Sequence, residues 1–364
     1  MVEWKKLGEV CSFNRGKTIT AKDTCEGDVP VIAGGQTPSY YHNVSNRTGE
    51  SITVAGSGAY AGFVSYWNQP IFVSDAFTVD PNEPMLHKYL FHWLKMNQQR
   101  IFATQKGAGV PHVHGKDIAN FEIPVPSIAE QTRIVGILDT FTAAIDNLKQ
   151  QIGQRRKQYE HYREQLLDLE GKEGVEMKTL GEVCSIKNGY TPSTKNPAFW
   201  ENGDIPWFTL EDIRKNGRML DDASKHITAL GVKKSGLFPK DSIIVSTTAT
   251  IGEYALIRTD FLCNQQISCL SIKDKNTIEP KYLYYLANEI GNWCKKNVNG
   301  GGSLLIVSTS KLQFMIIPVP SLAEQQRIVS ILDTFEASIA NLEQQLAQRK
   351  KQYEYYRNKL LKFD

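Results

Sequence analysis

The sequence predicts an α/β (α+β) chain made of two mixed, strand-rich globules, each followed by a long helix, with internal pseudo-two-fold symmetry. Three observations carry this reading. The stretch Ile123–Leu169 recurs as Ile317–Phe363, with about two aligned positions in three identical, and a long self-match sets the architecture before anything else does. Each copy carries apolar residues in a four-three alternation, the seam of a coiled coil. The region ahead of each copy alternates short β-leaning runs with Gly, Pro and Asn punctuation. The 364 residues therefore divide into a globule (1–122), a central helix (123–169), a linker (170–175), a second globule (176–316) and a C-terminal helix (317–364).

In the first globule, strands are predicted at Val29–Ala33, Ser51–Val54, Gly62–Trp67, Ile71–Val73 and Phe77–Val79. One helix is predicted from Leu86 to Ala103, where Leu86, Tyr89, Leu90, Trp93, Leu94 and Ile101 recur at helical spacing. Ile123-Pro124-Val125-Pro126 must be extended, because proline disfavours the α region in the residue before it. Ser127 then opens the first long helix, with Glu130 three residues on as its capping-box partner. The seam reads Ile134, Leu138, Phe141, Ile145, Leu148, Ile152, Tyr159, Tyr162 and Leu166, with Arg155 in the one vacant slot. Some 40 residues at 1.5 Å each make a rod about 60 Å long.

Glu170-Gly171-Lys172-Glu173-Gly174 ends that rod as a polar linker. The second globule echoes the first at its start, Leu180-Gly181-Glu182-Val183-Cys184-Ser185 against Leu7-Gly8-Glu9-Val10-Cys11-Ser12, and thereafter shares little sequence with it. Strands are predicted at Ile205–Thr209, Ser242–Ser246, Tyr254–Ile257 and Ser268–Ile272, and a helix from Lys281 to Lys296. The second rod starts at Ser321 and Glu324. Its seam reads Ile328, Leu332, Phe335, Ile339, Leu342, Leu346, Tyr353, Tyr356 and Leu360, with Arg349 where the first has Arg155.

A narrow apolar seam needs a partner, and each rod's nearest partner is the other copy. Chain order favours an antiparallel pair, with Phe141 opposite Tyr353, Tyr159 opposite Phe335, and each Arg opposite Ile145 or Ile339. Two related globules on such a spacer would suit a DNA duplex, whose local two-fold axes match. The molecule would grip two half-sites and measure the gap between them. A plain dimerisation coiled coil is the alternative that heptads alone allow.

The block IPVPS-[IL]-AEQ-x-RIV-x-ILD-x-F at Ile123–Phe141 and Ile317–Phe335, following two dissimilar globules, resembles the specificity subunits of type I restriction-modification systems. Gly189-Tyr190-Thr191-Pro192-Ser193, Trp200, Gly203-Asp204-Ile205-Pro206-Trp207 and Asp212 resemble the usual start of a target recognition domain in that family. Gly107-Ala108-Gly109-Val110-Pro111 resembles its glycine loop. The first globule departs from the pattern, with Asn14-Arg15-Gly16-Lys17-Thr18 in place of a GxTP opening. The resemblance implies two target recognition domains, each reading half of a bipartite site in double-stranded DNA. It implies a helix pair that sets the spacing and docks two modification (methyltransferase) subunits, joined by restriction (endonuclease and translocase) subunits. The chain itself would carry no catalysis and no cofactor; S-adenosylmethionine, ATP and Mg would belong to the partner subunits. A system whose modification and cleavage activities share one polypeptide, and a non-DNA-binding coiled-coil scaffold, are the rival readings.

The residues agree with that division of labour. There is no GxxxxGK[ST] to cradle phosphates. Gly56-Ser57-Gly58-Ala59-Tyr60-Ala61-Gly62 has glycines but no following helical pattern, so it reads as a tight turn between strands. Asn196-Pro197-Ala198-Phe199 lacks the second proline and cofactor-binding unit of an amino-methyltransferase. His112 and His114 are expected to face opposite ways and so to hold no metal. Six cysteines (Cys11, Cys25, Cys184, Cys263, Cys269, Cys294) without a CxxC pair read as reduced, mostly buried thiols. The net charge of +3 leans only slightly towards an anionic partner. No apolar run reaches the roughly 18 residues of a membrane span, and Met1–Lys6 lacks a signal-peptide core, so a cytoplasmic location is expected.

Phosphate contacts need Lys, Arg or small polar groups on loops, and base reading needs forked donors and acceptors. In the first globule these are Arg15, Lys17 and Thr18; Gln36, Thr37, Tyr40 and Tyr41; and Lys106, His112, His114 and Lys116. The second globule offers Lys187, Asn188, Tyr190, Thr191 and Lys195; Thr209, Arg214 and Lys215; Thr248 and Thr250; and Asn299 and Ser303. Trp67, Trp93 and Trp207 read as core. Arg155-Arg156-Lys157 and Arg349-Lys350-Lys351 are equivalent basic clusters on the rods.

Overall fold

The computed structural model describes residues 2–82, 84–299 and 305–363. It divides into two compact units, Met1–Ile152 with Asn341–Asp364, and Gly153–Ala340. Each unit holds one globule, the start of the long helix that follows it and the end of the other long helix. The long helices run over Ile128–Leu167 and Leu322–Leu360.

The first globule is built on a four-stranded antiparallel sheet in the order Cys11–Arg15, Ala76–Pro81, Glu50–Ala55, Val64–Asn68. Ile52, Val54, Phe77 and Val79 share its core with Tyr89, Leu90, Trp93 and Leu94 of the helix His87–Met96. A smaller sheet pairs Val29–Ile32 antiparallel with Tyr40–His42 and parallel with Phe72–Val73. The second globule repeats both sheets. Its larger one runs Cys184–Asn188, Ile267–Ile272, Ser242–Ser246, Tyr254–Ile257, with Met219–Leu220 added in parallel. Its smaller one is His226–Ile227, Ile205–Phe208, Leu262–Cys263. The helix Pro280–Lys296 covers the larger sheet.

The single helix expected over Leu86–Ala103 is instead two, His87–Met96 and Gln98–Phe102. Asn97 breaks it at φ −91°, ψ 14°, with its side-chain amide donating to the Trp93 carbonyl at 3.0 Å. Asparagine side chains compete in this way with helical hydrogen bonds. Two strand pairs close the globules beyond the predicted strands. Glu3–Lys6 pairs with Glu122–Val125, and Glu176–Thr179 with Ile316–Val319. The extended Ile-Pro-Val-Pro stretches are thus edge partners, which suits prolines that donate nothing to a ladder.

The repeat's Ala-Glu-Gln block has a structural cause. Gln131 is fully buried. Its side-chain oxygen accepts the Leu86 N–H at 2.9 Å, and its amide donates to the Pro84 and Pro126 carbonyls. Gln325 does the same for the Glu279 N–H and the Thr277 and Pro320 carbonyls. Each glutamine satisfies three backbone groups that would otherwise be buried without partners. The expected capping boxes are only half formed. Ser127 and Ser321 accept from the N–H groups of Glu130 and Glu324, but those carboxylates turn to Arg133 and Arg327 in two-pronged ion pairs. A forked guanidinium three residues on outcompetes one backbone N–H.

The helices meet each other within each unit. In the first, Phe141 stacks on Tyr356 with ring centroids 5.2 Å apart, and Arg349 lies over the same phenylalanine ring. In the second, Phe335 stacks on Tyr162 at 5.3 Å, meets Tyr159 at 6.5 Å and lies under Arg155. Partner numbers fall as residue numbers rise, which is antiparallel pairing. Phe335 meets Tyr159 as expected, whereas the ring stacked on Phe141 is Tyr356, because Tyr353 is drawn to His92 Nδ1 at 2.9 Å. Each arginine reaches over a phenylalanine ring one turn from its expected isoleucine, where cation–π attraction is available. At the seam's end Leu167 and Leu169 are buried, with Leu166 only partly so.

Ion pairs tie globule to helix in both units: Lys88 to Asp139 at 2.5 Å and Lys281 to Asp333 at 2.6 Å. Burial alone would raise the Asp139 carboxyl, but hydrogen bonds from His92 and Lys88 outweigh it and hold it below the ordinary range. The second unit adds a further acid. Glu336 is half-buried and accepts from Tyr159 at 3.1 Å; burial, with nearby Asp333, pushes its carboxyl up against the opposing pull of the Tyr159 and Tyr285 hydroxyls and of Lys281. Five of the six cysteines are buried and Cys25 is exposed. Among the described residues no helix is long and apolar enough to cross a membrane.

Candidate nucleic-acid interface

In the first globule the chain folds a groove of about 510 Å³ lined by Phe13, Arg15, Gly56, Ser57, Asp75, Ala76, Phe77 and the segment His112–Lys116. Backbone hydrogen bonds fix its rim. Gly16 N–H donates to Ala76 and Lys17 N–H to Val73, both at 2.9 Å, which anchors the end of the strand carrying Arg15. Gly56 N–H donates to Asp75, and Val113 N–H to Gly56, both at 3.0 Å. Lys106 and His112 exchange hydrogen bonds at 3.0 and 2.8 Å, which closes the Gly107–Pro111 loop into a hairpin. The Val113 side chain, fully buried, pins that hairpin to the core.

Four sequence-predicted residues, Arg15, His112, His114 and Lys116, therefore share one groove. The expectation that the two histidines face opposite ways is wrong. Their rings stack with centroids 6.2 Å apart and planes 5° from parallel, because residues two apart in extended chain share a face. Gly34 lies so close to the Ser57 carbonyl that a Cβ would come within 2.2 Å of it. That contact brings the turn carrying exposed Gln36 and Thr37 beside the groove. Arg15, Lys17 and Lys116 are exposed and have no side-chain partner among the described residues. Lys106 is already paired with Asp117 at 2.5 Å. Burial works against the Asp117 charge, yet the Lys106 and His114 contacts keep the carboxyl below its ordinary range. Tyr40 donates its hydroxyl to the Ile19 carbonyl at 2.5 Å and braces the fold, whereas Tyr41 is exposed. Thr18 is exposed next to Lys17.

Sequence reasoning passed over Ser57 and Asp75, whose side chains are hydrogen-bonded in the groove floor. The only local sign was the Gly-Ser-Gly turn, and Asp75 lies between two strand signals with no pattern of its own.

The second globule repeats this frame bond for bond. Gly189 and Tyr190 donate to Ile267 and Cys263 as Gly16 and Lys17 do to Ala76 and Val73. Thr247 donates to Gln266, Val307 to Thr247, and Ala249 to Leu305, in the roles of Gly56, Val113 and Gly58. Bridges Thr248–Ile306 and Asn299–Ile306 match Ser57–His112 and Lys106–His112. Thr248, exposed Thr250 and Asn299 thus lie around the equivalent rim; Ser303 lies outside the described residues.

Several second-globule candidates are occupied. Asn188 accepts from Ser268 at 2.7 Å, and Thr191 donates to Gln265 at 2.5 Å. The Tyr190 hydroxyl donates to the Gly231 carbonyl and accepts the Lys233 N–H. Thr209 caps the helix Leu210–Asn216, with Asp212 completing the box. Arg214 is locked on Glu253 by a forked pair at 2.7 and 3.1 Å, and Lys215 on Glu211. Lys187 and Lys195 are exposed and unpartnered among the described residues.

Two copies of one frame, each followed by the same helix, match a single family model twice. The type I restriction modification DNA specificity domain covers residues 1–155 and again 172–350. The chain belongs to the type I restriction-modification DNA specificity family. Within that family it is 34% identical to the EcoR124I/EcoR124II specificity subunit of Escherichia coli, over 100% of this chain and 94% of that one. It is 43% identical to the E. coli EcoprrI specificity subunit over 56% of this chain, and that match spans about half of the relative, 53%. The fold matches the type I S subunit of M. genitalium with a TM-score of 0.64 over 100% of this chain and 97% of that one, at 18% identity. Specificity subunits are the non-catalytic members of restriction-modification complexes.

The first globule's departure from the family's GxTP opening also has a structural answer. Gly16 and Gly189 occupy one position, where a Cβ would fall 2.2 Å from the Ser74 carbonyl oxygen or 2.1 Å from that of Cys263. The glycine is what the turn demands; the residues after it are free to differ.

Proposed function

We propose that each globule is a target recognition domain reading one half of a bipartite site in double-stranded DNA. The helix pair sets the spacing between the half-sites and docks two modification subunits. Restriction subunits complete the assembly, and S-adenosylmethionine, ATP and Mg act on those partners. The reading places the complex in the cytoplasm, where the DNA is. The observation that carries it is the repetition of one hydrogen-bonded frame with different side chains at its matched positions. A shared frame presents loops to a duplex in the same way twice, and different side chains on it read different bases.

The division of labour follows from side-chain chemistry. Exposed Lys17, Lys116, Lys187 and Lys195 suit phosphates, whose contacts position a protein without reading sequence. The forked and shorter side chains at the matched positions of the two frames suit base edges. The long helices, 40 and 39 residues at 1.5 Å each, have a length that heptad insertion or deletion would change in steps.

Mapping of methylated bases across the genome, with and without this gene, tests the reading. A split, asymmetric motif should be methylated only when the gene is present. A continuous motif, or none that depends on the gene, would refute it.

A further inference from the structure

The two globules share a hydrogen-bonded frame and differ in chemistry at its matched positions. Matching hydrogen bonds and bridges pair Arg15 with Asn188, Ser57 with Thr248, Asp75 with Gln266, His112 with Ile306 and Lys106 with Asn299. His114 and Ser308, each the residue before a short helix (Gly115–Ile118 and Thr309–Leu312), also correspond. Five of these six positions in the first globule carry an ionisable side chain, and none in the second does.

Within the first groove, exposed Arg15 offers a forked donor with no partner among the described residues. Asp75 lines the same groove, and among the described residues its carboxylate accepts only the Ser57 hydroxyl, so it retains acceptor capacity. A guanidinium suits the O6 and N7 acceptors of guanine, and a carboxylate suits the N4 donor of cytosine. One G·C pair presents both. In the second globule Asn188 is held by Ser268. Gln266, half exposed, has no side-chain partner among the described residues. Its amide offers one donor and one acceptor, the pattern that adenine N7 and N6 complement.

We propose that the first globule reads a G·C pair through Arg15 and Asp75, and the second an A·T pair through Gln266. This inference rests on the bipartite reading above and assigns its two halves different base chemistry.

The test uses the full chain assembled with its modification subunits. Duplexes carrying the mapped motif, with one base pair substituted at a time, compete for binding to wild type, Arg15→Gln, Gln266→Ala and Lys116→Ala. Arg15→Gln should lose roughly 5- to 150-fold of discrimination, the worth of one bidentate contact, at a single G·C pair in one half. Gln266→Ala should relax one A·T pair in the other half. Lys116→Ala should weaken all duplexes alike. Arg15 and Gln266 are not buried, so unchanged melting temperatures are expected, and the competition needs no methylation to be read. Unchanged discrimination, uniform weakening by Arg15→Gln, or relaxation at an A·T pair by that variant would overturn the assignment. Failure of the bipartite reading itself would look different, because wild type would then show no split motif.

Discussion

Tyr162 and Phe335 stack with ring centroids 5.3 Å apart, and exchanging the two repeats maps that contact onto Tyr356 and Phe141, which stack at 5.2 Å. Each phenylalanine also lies under an arginine. Phe335→Ala removes a partly buried ring and its cation contact. It should cost about 1.5–3 kcal/mol, below the roughly 3–5 kcal/mol of a fully buried phenylalanine, and thermal melting should fall by several degrees. Phe141→Ala should behave alike. A melting temperature unchanged in both would show the helix pairing to be energetically idle.

Phe141 lies between Arg349 and Tyr356. Two helical turns on, antiparallel register brings Leu148 to Leu346. Leu148→Cys with Leu346→Cys should therefore form a disulfide on mild oxidation, seen as a gel-mobility shift that reductant reverses. Leu148→Cys with Tyr353→Cys should not, since residues two turns apart on a rod are about 10 Å apart and disulfides need Cα atoms within roughly 7 Å.

Glu336 gives a pH dependence with a definite sign. Burial raises its carboxyl above the ordinary 4.5, so between that value and its folded one the native chain keeps a proton that the unfolded chain releases. Stability therefore falls as pH rises through that window. Glu336→Gln is neutral throughout and should lack this fall. Its denaturation midpoint should gain on wild type as pH rises above 4.5 and then hold a constant lead. Parallel pH profiles would contradict the burial argument.

Lys17 and Lys116 are assigned to phosphates. Each alanine substitution should lower the slope of log affinity against log salt by about 0.9, measured on the assembled complex with its mapped duplex. Lys106→Ala should change it less, because Asp117 already holds that ammonium.

Much of the fold is legible in the sequence where the pattern is local. Ser242–Ser246 and Tyr254–Ile257 are strands with the predicted bounds, because each is a short apolar run between turn residues. The long helices follow from their heptads. The break at Asn97 was hidden because the apolar spacing continues across it. The strand pair of Glu3–Lys6 with Glu122–Val125 joins segments far apart in the chain, which no window reveals. The groove has the same cause. Arg15, Ser57, Asp75 and His112 meet only through long-range pairing, so residue type alone named some of them and also named Thr209 and Arg214, which the structure commits to a helix cap and an ion pair.

The most direct test exchanges residues 1–122 for the corresponding region of a family member with a different target, leaving both long helices and the second globule unchanged. Mapping of methylated bases should then show a motif with one half replaced, the other half retained and the gap between them preserved. A motif altered in both halves, or altered in neither, would contradict the claim that each globule reads its own half-site.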